Sequence, residues 1–352
     1  MPVVTCIDDL RSMARKRVAR AIFDYVDRGS YAEQTLRANR ADLEALALRQ
    51  RVGIDVDRRS LATTMAGHEV RMPVALAPVG LTGLNWADGE MLAARAAERF
   101  GVPFTLSTMS ICSIEDVASA VTKPFWFQLY VMRDRGFSAS LVERAKAAGC
   151  SALMLTLDLQ IQGQRHRDLK NGLAVPPKIT LGTALDVMTK PGWALNVLRG
   201  RRKSFGNLEG RIPDAKSLTT LSHWIAGQFD PTLSWKDIEW VKKLWGGKLI
   251  LKGILDVEDA KIAAASGVDA IVVSNHGGRQ LDGAVSSIRA LPEVVDAVKN
   301  NIEVWFDGGI RSGQDVLKAL ALGARGTLIG RAYAYGLGAM GEAGVMRALE
   351  VI

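Results

Sequence analysis

From residue 72 onward, short apolar runs rich in β-formers alternate with helical patterns, and this alternation restricts the chain to very few architectures. The runs are "MPVALAP" (72–78), "PFTLS" (103–107), "PFWFQLYV" (124–131), "ALMLTLD" (152–158), "KLILKG" (248–253), "DAIVVSNH" (269–276), "EVWFDGG" (303–309) and "GTLIG" (326–330). Segments such as "GEMLAARAAERFG", "SIEDVASAV", "SASLVERAKAAG" and "SGQDVLKALALG" follow them with helical spacing, and Ser113 and Asp116 suit a helix start. Strands that alternate with helices make parallel sheet, and eight such units close into a (β/α)8 TIM barrel. An open doubly wound sheet fits the same pattern less well, because no GxGxxG follows an early strand. The reading is one barrel domain over 1–352, with a helical N-terminal extension at 1–71 and an insertion at 165–230 between strands four and five. In the extension, "DDLRSMARKRVARAIFDYVDRG" reads as an amphipathic helix pair packed over the barrel.

Composition narrows the function classes. The chain has 352 residues and a formal charge of +8, and residues 170–216 hold nine Lys or Arg against three acidic residues, so most of the excess is local. Local charge with few stacking aromatics argues against nucleic acid and for an anionic surface as partner. The three cysteines, Cys6, Cys112 and Cys150, are far apart, which fits neither a disulfide framework nor a zinc site, and suits a reducing cytoplasm. No metal is expected. No apolar run approaches the roughly 18 residues of a spanning helix.

Barrel active sites lie at the C-terminal ends of the strands. Read in order, those ends are Pro78-Val79-Gly80, Ser107, Gln128 with Tyr130, Thr156 with Asp158, Lys252, Ser274 with His276, Asp307 to Arg311 (including Gly308), and Gly330-Arg331. So many polar groups on one rim make it a site. The glycines of "DGGIRSG" and "IGRA", beside Arg311 and Arg331, suit a phosphate at the last two loops. Lys252 comes from an apolar strand and needs a negative partner, which the reduced edge of a flavin would supply. Ser107, Gln128 and Thr156 suit the polar atoms of the flavin ring, while pyridoxal phosphate on Lys252 is the rival reading.

"SNHGGRQLDG", together with "APVGL", "WFQLYV", "DGGIRSG" and "ALGA…IGRA" in that order, resembles the FMN-dependent L-2-hydroxy-acid dehydrogenase/oxidase family over roughly residues 5–350. The resemblance implies FMN contacts at Pro78, Val79, Gly80, Ser107, Gln128, Thr156, Lys252, Ser274, Asp307, Gly308, Arg311, Gly330 and Arg331. It implies substrate contacts at Tyr25, Tyr130, Asp158, Arg165, His276 and Arg279. Arg279 would clamp a carboxylate in bidentate fashion, aided by Tyr25. His276 would be the base, with Asp158 stabilising its imidazolium and Tyr130 bonding the substrate hydroxyl. Met109, Val79 and residues 159–162 would border the substrate's side chain. His68, His166 and His223 read as structural, and Trp126 as barrel packing.

The long basic insertion is similar to that of bacterial respiratory members that oxidise L-lactate to pyruvate and reduce membrane quinone. (S)-mandelate dehydrogenation, an oxygen-using oxidase and a non-redox phosphate-ligand barrel are the alternatives. Trp193, Ala194, Val197 and Leu198 fall on one helical face beside Arg199, Arg201, Arg202 and Lys203, as an interfacial helix requires. The expectation is a peripheral protein on the cytoplasmic side of the inner membrane, or a cytoplasmic one. By resemblance it is a homotetramer. An active-site lid is the other reading of the insertion. The family usually continues some 25 to 30 residues past "GEAGVMRALEVI", so a truncated C-terminus is a further expectation.

Overall fold

A computed structural model describes residues 3–173, 180–210, 224, 225, 227–299 and 301–352. After a small hairpin, β1 (Thr63–Met65) and β2 (His68–Val70), eight strands form one parallel sheet: β3 (Val74–Leu76), β4 (Thr105–Ser107), β5 (Trp126–Leu129), β6 (Ala152–Thr156), β7 (Lys248–Ile254), β8 (Ala270–Val273), β9 (Glu303–Asp307) and β10 (Gly326–Ile329). β3 pairs with β10, and a parallel bridge from Leu76 to Phe104 joins it to the β4 side, so the sheet curls into the expected (β/α)8 barrel. Apart from β7, the strands are shorter than the apolar runs, most of which continue past their last ladder pair into the loop.

Alternation along the strands explains why the site sits where it does. Ala75, Trp126, Ala152, Met154, Ile250, Ala270, Val272, Trp305 and Leu328 pack together inside the barrel, and Trp126 stacks on Trp305 at 5.2 Å. One period of two further along five of the strands, β5 to β9, the same inward column turns polar: Gln128, Thr156, Lys252, Ser274 and Asp307. The lower barrel is therefore an apolar plug, and the upper barrel a floor of donors and acceptors. The intervening residues, among them Phe127, Leu153, Leu155, Leu249, Leu251, Ile271, Val273 and Phe306, join the outer core under the helices.

The N-terminal extension departs from the helical expectation. Helices α1 (Ile7–Arg17), α2 (Arg20–Asp27) and α3 (Gln34–Ala45) are present, but the hairpin follows them and closes the barrel's lower end. Met65 and Val70 enter the interior cluster there, and Met65 packs against Gly326. His68, which the sequence places in a turn, begins β2. α2 is anchored by buried Asp27, which takes two hydrogen bonds from Arg11, at 2.6 and 2.9 Å, and one from Tyr335 at 2.7 Å. α3 is tied to the loop after β8 by a reciprocal amide pair, Asn39 with Asn275, both bonds 2.8 Å.

Helices α4 (Gly89–Phe100), α5 (Ile114–Ala118) and α6 (Arg135–Ala147) follow β3, β4 and β5, and within the insertion lie α7 (His166–Lys170), α8 (Leu181–Met188) and α9 (Pro191–Arg199). The apolar face expected on α9 is turned the other way. Trp193 donates its indole N–H to the Leu84 carbonyl at 2.8 Å, and Ala194 and Val197 are half-buried beside it. Leu181, Leu185 and Met188 on α8, with Leu195 and Leu198 on α9, are instead each more than half exposed. His223 and the insertion residues 174–179 and 211–223 lie outside the described residues.

Candidate active site

The polar floor opens into a cavity of about 290 Å³. Its lining includes Tyr25, Pro78, Val79, Gly80, Ser107, Tyr130, Thr156, Arg165, Lys252, His276, Arg279, Asp307, Gly308, Arg311, Gly330 and Arg331. The other expected residues, Gln128, Asp158 and Ser274, lie behind this wall and reach the site through their neighbours. Met109, Val79, Leu159 and Gln162 border the cavity as expected, whereas Ile161 points outward. His166 is exposed on α7, edge-on to Tyr31.

His276 leaves the end of β8 with φ +59°, a left-handed backbone uncommon for residues other than glycine. Its amide donates to Ser274 Oγ at 3.1 Å. Its Nδ1 lies 2.8 Å from Asp158 Oδ1. A carboxylate can only accept, so Nδ1 carries the proton and Nε2 keeps its lone pair, 3.5 Å from the Tyr130 hydroxyl. Asp158 packs against Gly253, where β7 has a register shift. A Cβ on Gly253 would come within 2.7 Å of the carboxyl carbon, and its φ of +104° also favours glycine.

Burial decides the direction for His276 and is overcome for Asp158. It lowers the His276 pKa, and the nearby Asp158 carboxylate offsets this only in part. The sequence-based expectation that Asp158 raises the basicity of His276 gives the right sign for the pair but omits the larger opposing effect. For Asp158, burial pushes upward, yet His276 and Lys252 outweigh it and hold the carboxyl below its usual range. The result is a neutral imidazole beside an ionised carboxylate, the state a general base needs.

Lys252 is buried at the centre of the floor and already has a protein partner, where the sequence suggests that the reduced edge of a flavin supplies one. Its Nζ is 3.0 Å from Asp307 Oδ2 and 2.9 Å from Ser274 Oγ. Burial lowers its pKa, but Asp307 and Asp158 overcome that and keep the amine charged. The Ser274 hydroxyl accepts from Lys252 and the His276 amide and donates to Asp307 at 2.8 Å. That hydroxyl is therefore fully engaged within the protein, and it joins the lysine to the histidine loop.

Arg279 and Arg331 are solved differently. Among the described residues neither has an ion-pair partner within 4.0 Å. Arg331 donates to the carbonyls of Val26, Gly277 and Arg28 at 2.9 to 3.0 Å. Arg279 donates to the carbonyls of Tyr25 and Arg28 and lies over the Tyr25 ring at 4.7 Å. Tyr25, Val26 and Arg28 form the C-terminal end of α2, whose last carbonyls lack intrahelical donors and carry the negative end of the helix dipole. Burial pushes Arg279 down to about 10, with Arg165 adding to the effect. Burial also lowers Arg331. Both guanidinium groups stay cationic at neutral pH, with no carboxylate spending their charge.

Two buried polar atoms on the floor, Gln128 Nε2 and Thr156 Oγ1, have no hydrogen-bond partner in the protein. A planar cofactor with polar edge atoms and a phosphate would answer both features, the orphaned donors and the unpaired arginines.

The chain matches the family model described as FMN-dependent dehydrogenase over residues 14–352. It belongs to the FMN-dependent dehydrogenase family. An L-lactate dehydrogenase from Caulobacter vibrioides strain NA1000 is 50% identical over 351 residues, which cover 99% of this chain and 91% of that protein. One from Haemophilus influenzae strain PittEE is 49% identical over 350 residues, 99% and 92% of the two chains. The solved structure of monotopic membrane protein (S)-mandelate dehydrogenase superposes with a TM-score of 0.94 at 36% identity, covering 99% of this chain and 92% of the other. A mandelate oxidase structure gives 0.84 at 38%, covering 99% and 91%. The cofactor of this family is FMN. Gln128, Thr156 and Lys252 fit its ring edge, and Arg331 and Arg311, beside Gly308 and Gly330, fit its phosphate.

Sequence reasoning missed several lining residues. Asp168 lines the cavity three residues after Arg165, a spacing that could have flagged it. Leu173, Phe205, Ile225 and Phe229, all from the insertion, also line it. Asn207 donates to the carbonyls of Ser107 and Thr108 and accepts from the Ile114 amide, which fastens the insertion to the loop after β4. Nothing in its sequence context signals this.

Because His276 must be neutral to act, the acid limb of FMN reduction should lie below pH 6.5, the ordinary histidine value. Asp158→Asn removes the group that raises the His276 pKa. The limb should then move to lower pH while the maximal rate falls about 10² to 10⁴-fold, measured by anaerobic stopped-flow. A limb that moves upward would contradict this assignment.

Proposed function

We propose that the chain oxidises an L-2-hydroxy acid, L-lactate best, to the 2-keto acid, and passes the electrons to a membrane quinone. The observation that carries the reading is His276 Nε2, freed by Asp158 and facing the same cavity as the cationic Arg279. In this arrangement Arg279, with Arg165 and Tyr25, binds the substrate carboxylate, and its planar fork fixes the orientation. Tyr130 holds the substrate oxygen near Nε2. His276 takes a proton from the substrate, and the imidazolium so formed is stabilised by Asp158 at 2.8 Å. FMN, when bound, would accept the two electrons together with the remaining hydrogen. The preference for L-lactate rests on the two relatives at about 50% identity, which carry that name. Val79, Met109 and Leu159 give a compact apolar wall for a methyl group.

The site role covers Pro78, Val79, Gly80, Ser107, Gln128, Thr156, Lys252, Ser274, Asp307, Gly308, Arg311, Gly330 and Arg331 for FMN, with Ser274 acting through Lys252 and the His276 amide. The domain reading is one FMN-binding barrel, with the extension at 1–71 and the insertion at 165–230.

The insertion supports a peripheral place on an anionic membrane. Leu181, Leu185, Met188, Leu195 and Leu198 present an apolar surface next to Lys190, Arg199, Arg201 and Lys203. Each such cation near an anionic leaflet adds about 1 kcal/mol. Among the described residues no helix is long and apolar enough to cross a membrane, and the (S)-mandelate dehydrogenase neighbour is itself described as monotopic. The proposal includes the cytoplasmic side of the inner membrane, where the three free cysteines stay reduced, and a homotetramer.

The purified yellow protein should lose its flavin absorbance anaerobically with L-lactate and keep it with D-lactate, and kcat/KM should be higher for L-lactate than for (S)-mandelate. Failure to bleach with any L-2-hydroxy acid would overturn the proposed activity. The protein should also sediment with anionic vesicles at low salt and be released at high salt. Leu185→Asp with Leu198→Asp should abolish sedimentation and leave bleaching by L-lactate unchanged. Sedimentation that survives the double substitution would refute the membrane surface assigned here.

A further inference from the structure

The carboxylate end of the cavity contains a third charge that substrate binding does not require. Asp168 is 6% exposed, lines the cavity, and has one carboxylate oxygen, Oδ1, without a hydrogen-bond partner. Its other oxygen is 3.8 Å from Arg165 Nη1, an ion pair without hydrogen-bond geometry. Arg165 Nε is likewise buried and without a partner. A structural ion pair in such a place would close into hydrogen bonds. Here the two charges face a common space and leave donor and acceptor capacity open.

Counting charge around that space gives a direct consequence. Arg165 and Arg279 contribute two positive charges and Asp168 one negative, so the pocket carries a net single positive charge. A monocarboxylate neutralises it. A second carboxylate on the same ligand would leave uncompensated negative charge in a water-poor cavity, which is costly. Burial raises the Asp168 pKa above its usual range, and Arg279 and Arg165 offset that rise only in part, so the same arginines that receive the substrate are what favour the ionised acid.

We propose that Asp168 is a specificity-determining residue that restricts the arginine clamp to monocarboxylates and excludes dicarboxylate 2-hydroxy acids and their analogues. The proposal rests on the 2-hydroxy-acid reading of the site and names its charge class. Asp168 touches neither the reacting carbon nor the base, so it acts on binding and not on the proton transfer.

Oxalate and oxamate test this, because they are near-isosteric and differ by one negative charge. Each is titrated into the FMN-loaded protein, and the dissociation constant is read from the perturbed flavin spectrum. Asp168→Asn should improve oxalate relative to oxamate by about tenfold or more, while Asp168→Glu, which keeps the charge, should retain the ratio of the unsubstituted protein. An unchanged ratio in Asp168→Asn, or equal shifts in both variants, would overturn the proposal. Should Asp168→Asn not fold with FMN, Asp168→Ser gives the same comparison. Bleaching by L-lactate is measured on the unsubstituted protein alongside. Absent bleaching with intact oxamate binding would fail the activity reading, and an unchanged ratio with normal bleaching would fail only the role of Asp168.

Discussion

Two half-buried guanidinium groups, without carboxylate partners among the described residues, set the terms for the whole rim. Removing a charge from water is expensive unless something compensates it, and a nearby acid is the usual answer. Here the answer for Arg279 and Arg331 is the carbonyl end of α2. Tyr25, Val26 and Arg28 offer oxygens that the helix leaves unsatisfied, and the dipole adds negative potential at the same place. Carbonyls solvate the cations without neutralising them. The charge stays available for an anionic ligand, which a salt bridge would have consumed. This is why the N-terminal extension matters to the site, and why α2 is itself fastened through Asp27 to Arg11 and Tyr335.

Lys252 shows the contrasting solution in the same barrel. Its ammonium is paired with Asp307 and bridged by Ser274 to the His276 amide. The cofactor floor and the base are thus one hydrogen-bonded unit, while the anion sites are held from outside by a helix end. The insertion completes the enclosure with Phe205 and Phe229, and Asn207 pins it to the loop after β4. Its inner surface covers the cavity, and its outer surface carries the exposed leucines. The cavity lining and the exposed leucines thus fall on opposite sides of one layer, so the proposed membrane face and a cover over the site do not compete for the same residues.

Much of this was legible in the sequence. Eight apolar runs separated by helical patterns could hardly build anything but parallel barrel strands, and barrel geometry then sends their polar ends to one rim. The inward column that turns from Trp126 to Gln128, or from Ile250 to Lys252, is visible as a period of two. Partners across space were not visible. Nothing in the sequence pairs Lys252 with Asp307, and the spacing of α9 shows that Trp193, Ala194 and Val197 share a face without showing that Leu84 lies beneath it. The β1–β2 hairpin was missed because its strands are three residues each, too short for any periodicity to register. Asp168 was overlooked because a charged residue in a polar stretch reads as solvated until the fold buries it.

Carbonyl-held arginines keep their charge for a bound anion, and at Arg331 that charge can be measured against a single phosphate. Apo-protein is titrated with FMN and with riboflavin, which lacks only the phosphate, and both dissociation constants are measured by flavin fluorescence. FMN should bind at least about tenfold tighter than riboflavin, and Arg331→Met should remove most of that difference while leaving riboflavin affinity little changed. Equal affinities for the two flavins in the unsubstituted protein, or an FMN preference untouched by Arg331→Met, would contradict the account.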